Sequence, residues 1–135
     1  MSDFTLSIDC GGSFIKSCVL DSAGTMHAAP NRIETPYPLT TERFLETIAE
    51  IASSLPKASR ATVGIPGMIR NGVVVATPHY INEAGPHTKL SPELKEEWWG
   101  FDAQAAITKS LGIPVKVLND AEVHAAGVIT GTGLE

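Results

Sequence analysis

The stretch "SIDCGGSFIKSCVL", residues 7–20, gathers residue types that suit phosphate chemistry. Asp9 closes an alternating apolar run, and open sheets place ligands at such strand ends. Gly11 and Gly12 remove side chains, so successive backbone N–H groups can approach an anion closely. Ser13 adds a hydroxyl and Lys16 a positive charge. An Asp beside such a loop would repel phosphate unless Mg²⁺ lay between them, so the combination favours a metal–nucleotide site with Asp9 as the metal ligand. A plainer reading of the same residues is a turn held by an Asx-type hydrogen bond from Asp9, with glycines supplying positive φ and Lys16 facing water. The loop is neither GxxxxGK(S/T) nor GxGxxG.

A second stretch, "VLNDAEVHAAG" (residues 117–127), puts Asn119 and Asp120 where a buried strand gives way to a helix. Helix N–H groups can hold a carboxylate there, and Asn119 can both donate and accept hydrogen bonds. A hydroxyl attacking phosphorus could be oriented by Asp120 and lose its proton to it in the transition state. Equally, Asp120 could serve only as a helix cap. Ala121, Ala125, Ala126 and Gly127 make the following helix narrow and suited to close packing. In a third stretch, "VGIPGMI" (residues 63–69), Gly64 and Gly67 bracket a bend stiffened by Pro66. Its backbone could wall a sugar or nucleotide pocket, or form a tight strand exit.

Trp98 and Trp99 read as helix packing, with one indole available to stack on a ligand. His27, His79, His87 and His124 show no metal-ligand spacing. Cys10 and Cys18, the only cysteines, form neither a disulfide framework nor a ligand set. Cys10, read as part of an exposed loop, is expected to be reactive.

The elements that must position these groups follow from periodicity. Residues 4–8 and 14–20 read as strands, residues 21–24 as a turn, and residues 25–36 as a weaker third strand edged by Pro30. Residues 41–55 switch to helical spacing, with Thr40 or Thr41 as N-cap and Pro56 as the stop. A short buried strand runs through residues 61–67, and residues 71–80 read as a turn and another strand. Residues 81–90 read as a loop. Ser91 and Asp102 each open a helix, the second closed by Gly112 in a left-handed cap. Residues 113–120 read as a strand and 121–129 as a helix. The result is an α/β domain whose mixed sheet opens with three antiparallel strands and carries flanking helices.

Composition agrees with one globular domain: 135 residues, 43% hydrophobic and 19% charged. A net charge of −5 with scattered basic residues gives no support for nucleic-acid binding. No run approaches the roughly 20 apolar residues of a membrane span, and the start lacks a basic, apolar leader, so the cytoplasm is the expected location.

Taken in order, Asp9-Cys10-Gly11-Gly12-Ser13-Phe14-Ile15-Lys16, Val63-Gly64-Ile65-Pro66-Gly67 and Leu118-Asn119-Asp120-Ala121 resemble the N-terminal half of a sugar kinase of the actin-like, ribonuclease-H-like ATPase superfamily. More narrowly they resemble the ROK (repressor, open reading frame, kinase) glucokinases, polyphosphate glucokinases included. The resemblance implies a ribonuclease-H-like domain over residues 1–135, a fragment lacking the C-terminal nucleotide-binding domain and inactive alone. It implies transfer of a phosphoryl group from ATP or polyphosphate, with Mg²⁺, to the primary hydroxyl of a hexose, glucose first. Asp120 would be the general base. Asn119 and the Gly64-Ile65-Pro66-Gly67 backbone would bind sugar hydroxyls. Asp9 would act through Mg²⁺, with Gly11, Gly12, Ser13 and Lys16 bordering the transferred phosphate. The expected partners are the hexose, the C-terminal domain of the same protein and, in the intact protein, a second copy as a homodimer. Gly131-Thr132-Gly133 is not assigned as the family's further phosphate motif, and residues 80–85 depart from the sugar-contacting Pro-Asn region of relatives. The alternative is a non-catalytic, sugar-sensing ROK-like regulator, although a first strand starting by residue 4 leaves no room ahead of it for a helix-turn-helix. A plain α/β interaction domain, its glycines all turns, is the third reading.

Overall fold

The computed structural model describes residues 4–27, 30–85 and 87–120. Its main sheet has five strands: β1 (Thr5–Cys10), β2 (Phe14–Leu20), β3 (Asn31–Glu34), β4 (Arg60–Ile65) and β7 (Val115–Asn119), in the order β3-β2-β1-β4-β7. β1–β2 and β2–β3 pair antiparallel, whereas β4 runs parallel to β1 and β7 parallel to β4. This is the mixed α/β sheet with an antiparallel opening and flanking helices expected from the sequence.

Alternation decides which side of the sheet is filled. Leu6, Ile8 and Cys10 of β1, Ile15 and Val19 of β2, Ala61, Val63 and Ile65 of β4, and Val115 and Val117 of β7 all enter one core. Helix α1 (Thr41–Ser54) covers them with Phe44, Ile48 and Ile51. Each such side chain contributes about 1.5–3 kcal/mol by leaving water. Thr40 is the N-cap: its side chain accepts from Arg43 N–H at 3.0 Å. Helix α3 (Ala103–Leu111) starts where Asp102 accepts from Ala105 N–H at 3.1 Å and ends at Gly112, φ +70°. The short α2 (Pro92–Trp98) is capped by Ser91, whose hydroxyl accepts from Leu94 N–H at 3.3 Å.

Trp98 is fully buried and donates from its indole N–H to the Leu39 carbonyl at 2.8 Å. Phe44 and Tyr80 each lie 5.2 Å from its ring and Phe101 lies 5.5 Å away. Trp98 is therefore packing. Trp99, half-buried, carries the Lys95 ammonium 5.8 Å above its ring.

Three sequence expectations change. Residues 71–80 hold only the second arm of a hairpin, β6 (Val73–Ala76), whose first arm β5 (Met68–Arg70) was not expected. Asn71 (φ +53°) and Gly72 (φ +79°) form its two-residue turn, the geometry an Asn-Gly pair favours. The third strand shrinks to four residues, with Met26 making a single bridge to Leu20. Cys10 is no loop residue: it is the last residue of β1, 0% exposed. Among the described residues of 81–90 there is neither helix nor strand, only the single bridge between Asn82 and Leu90. The helix expected over 121–129, together with His124 and Gly131-Thr132-Gly133, lies outside the described residues. Among the described residues no helix is long and apolar enough to cross a membrane.

Candidate functional site

Because β1, β4 and β7 are parallel, their C-terminal ends share one edge of the sheet. Register then aligns the three motifs. Asp9 is the partner of Gly64, Gly64 of Leu118, and Ile65 of Asn119. Asp9 and Leu118, far apart in sequence, thus lie on either side of Gly64.

The first loop is a tight reversal between β1 and β2. Gly11 N–H donates to the Phe14 carbonyl at 2.8 Å, and a Cβ on Gly11 would meet that same oxygen at 2.9 Å. Neither Gly11 nor Gly12 has positive φ, so the turn uses glycine for close approach rather than for handedness. Gly11 spends its N–H inside the turn. Among the described residues the N–H groups of Gly12 and Ser13 have no such partner, and Ser13 is exposed. These two, rather than all three, can face an anion.

Side chains not expected from the sequence hold the outer carbonyls of this loop. Tyr37 donates to the Gly12 carbonyl, Tyr80 to the Gly11 carbonyl at 3.0 Å, and Thr35 to the Gly11 carbonyl at 3.1 Å. Tyr37 and Tyr80 are the chain's only tyrosines. No local spacing announced them: one follows β3 and the other follows β6. An open cavity of about 370 Å³ lies beside the loop, with Gly12, Ser13, Thr35 and Tyr37 in its wall. Lys16 is exposed and is the register partner of Asp9 on one side and Arg32 on the other. It faces water, and it does so next to Asp9.

The second motif bends at Pro66, which is buried, and Gly67, whose φ of +121° excludes most side chains. A Cβ there would sit 2.1 Å from the Ala76 carbonyl oxygen. Asn119 donates from its amide to the Gly67 carbonyl, joining the end of β7 to this bend. Gln104 secures the hairpin behind it. Its N–H donates to the Gly72 carbonyl at 3.1 Å, and its side-chain oxygen accepts from Val117 N–H at 3.1 Å.

Electrostatics places the two carboxylates on common neighbours. Burial pushes the Cys10 thiol far above its ordinary range, and the charges of Asp9 and Asp120 push it the same way. Tyr80 is raised in the same manner, by burial first and then by Cys10, Tyr37, Asp120 and Asp9. Asp9 and Asp120 thus act on the same two buried acids, Cys10 and Tyr80. Among the described residues no group of three His, Cys, Asp or Glu side chains is placed to hold a metal. His79 and His87 are exposed and stand apart from this edge in the sequence, and His27 pairs with Asp21 at 2.8 Å in the turn after β2.

The sequence model of the ROK family matches residues 5–131. No curated protein sequence gives a significant match. The inorganic polyphosphate/ATP-glucomannokinase of Arthrobacter sp. strain KM is 25% identical, with a TM-score of 0.69 over 96% of this chain and 48% of its own. A ROK family glucokinase from Streptomyces griseus, solved with glucose and AMPPNP, is 19% identical with a TM-score of 0.69 over 97% of this chain and 37% of its own. A ROK family transcriptional regulator, homologous to the Escherichia coli MLC protein, is 16% identical with a TM-score of 0.58 over 95% of this chain and 30% of its own. This chain thus spans half or less of the length of these relatives.

Proposed function

The chain belongs to the ROK family, and on that premise we propose that it is the sugar-holding half of a hexose kinase, with glucose as first substrate and ATP or polyphosphate as donor. The observation carrying this reading is the alignment of Asp9, Gly64 and Asn119, the residue before Asp120, at the C-terminal ends of the parallel strands. The Arthrobacter glucomannokinase, at 25% identity, supports a donor that is either ATP or polyphosphate.

In this reading the hexose lies against the Gly64-to-Gly67 bend and Asn119. Asp120 orients the primary hydroxyl and accepts its proton as the oxygen attacks the terminal phosphorus. The phosphorus–oxygen bond to the remaining donor breaks in line, and the shortened donor leaves with the electron pair. The Gly12 and Ser13 N–H groups face the oxygens on which charge accumulates. The donor set suits Mg²⁺, which is held by one or two carboxylates and completed by phosphate oxygens and water. Asp9 would hold it, and the ion would neutralise phosphate charge. A C-terminal domain of the same protein would complete the donor site.

The test is phosphorylation of a hexose panel by the protein from the whole reading frame, with ATP and polyphosphate as separate donors. Asp120→Asn should lower turnover about 10²- to 10⁴-fold while sugar binding persists. Sugar binding with no turnover by any donor would overturn the kinase reading in favour of a sugar-sensing regulator.

A further inference from the structure

The first loop contains two adjacent glycines, and a Gly-Gly peptide unit rotates at little cost. An anion site built from its N–H groups needs something to stop that rotation. A trans peptide is planar, so the carbonyl of one residue and the N–H of the next point in opposite directions. Fixing the Gly11 carbonyl fixes the Gly12 N–H, and fixing the Gly12 carbonyl fixes the Ser13 N–H.

We propose that Tyr37, Tyr80 and Thr35 are positioning residues that aim the Gly12 and Ser13 N–H groups at the transferred phosphate by holding the Gly11 and Gly12 carbonyls from behind. This rests on the phosphate assignment of the loop made above. The Gly11 carbonyl accepts twice, from Tyr80 at 3.0 Å and Thr35 at 3.1 Å, and the Gly12 carbonyl accepts from Tyr37. A fourth bond runs from Thr35 N–H to the Ser13 carbonyl at 2.9 Å.

The braces are themselves immobilised. Tyr80 is 0% exposed, with Trp98 at 5.2 Å and Phe44 at 6.3 Å. Tyr37 packs edge-on to Tyr80 at 6.3 Å, and Gly85 closes over its ring so tightly that a Cβ would stand 3.2 Å from Cε2. Both hydroxyls stay protonated, as donors must: burial raises Tyr37 to about 12 and holds Tyr80 well above the ordinary tyrosine range. Donors fixed before the charge develops cost no reorganisation when it does.

The test uses the protein from the whole reading frame, with magnesium tripolyphosphate as probe. It follows the ¹H–¹⁵N signals of Gly12 and Ser13 together with calorimetric affinity. In the unaltered protein both signals should shift on titration. Tyr37→Phe with Tyr80→Phe keeps the rings and removes the hydroxyls. It should weaken tripolyphosphate binding by about tenfold and reduce the two shifts, with glucose affinity unchanged. Thr35→Val should act in the same direction and Thr35→Ser should restore the original behaviour, which guards against a double variant that fails to fold. If the signals never respond in the unaltered protein, the phosphate assignment falls and takes this inference with it. If they respond equally, with equal affinity, in the hydroxyl-free variants, the bracing role alone is overturned.

Discussion

Cys10 and Cys18 stand on neighbouring strands and point to opposite faces of the sheet, which separates their chemistry. Cys10 continues the inward row of Leu6 and Ile8, whereas Cys18 is half-buried opposite Ser7 on the other face. Burial raises both thiols, Cys10 far more, and the Asp9 and Asp120 charges add to the effect only at Cys10. Since the thiolate is the reactive form, a disulfide reagent at pH 8 should modify Cys18 at least about ten times faster than Cys10 in the native protein. Cys18→Ser should abolish the fast phase, and urea should expose Cys10. Equal rates would mean that the end of β1 opens readily. The inward direction of Cys10 was legible from the spacing Leu6, Ile8, Cys10. Reading the glycines as the start of an exposed loop one residue too early concealed it.

The β5–β6 hairpin shows why an element can position a site without contributing a reactive group. Its first bend is Gly67, whose carbonyl anchors Asn119 and whose missing Cβ makes room for the Ala76 carbonyl. Gly67→Ala should cost at least about 2 kcal/mol through combined clash and strain, read by urea denaturation. Gly100→Ala is the control. Its φ is +81° but nothing lies within 4 Å of the added carbon, so only backbone strain of about 1–2 kcal/mol applies. Equal losses in the two variants would show that the close approach at Gly67 relaxes without penalty. Elements with local signatures were readable in advance: α1 from Thr40 and its helical spacing, α3 from Asp102 and Gly112. Strand β5 was not, because Met68-Ile69-Arg70 is too short to carry a period. Its place depends on Gln104, a residue on α3 that reaches both the hairpin tip and β7. The Asn71-Gly72 pair was the one available signal.

At the scale of the whole molecule, one sheet edge joins the candidate site to buried thiol and phenol groups. The three motifs were legible because each is contiguous in sequence. Their bracing was not, because the hydrogen bonds from Thr35, Tyr37 and Tyr80 span 24, 25 and 69 residues and leave no local pattern. That bracing couples the site to alkaline stability, with a definite sign. Tyr37 ordinarily titrates at 10.0 but at about 12 in the folded protein, so the unfolded chain loses this proton first. Its contribution to stability is complete below pH 10 and disappears as pH rises toward 12. Cys10, ordinarily at 9.0 and raised by burial, starts the decline about one pH unit earlier, and Tyr80 extends it. Urea midpoints measured from pH 8 to 12 should therefore fall steadily from about pH 9. Tyr37→Phe should remove up to one proton from the slope between pH 10 and 12, and Cys10→Ala should make the decline that begins near pH 9 shallower, with Cys18 leaving a residual slope. A Tyr37→Phe slope equal to that of the unaltered protein would place this hydroxyl in water rather than against the Gly12 carbonyl, and the loop would then be held by Thr35 and Tyr80 alone.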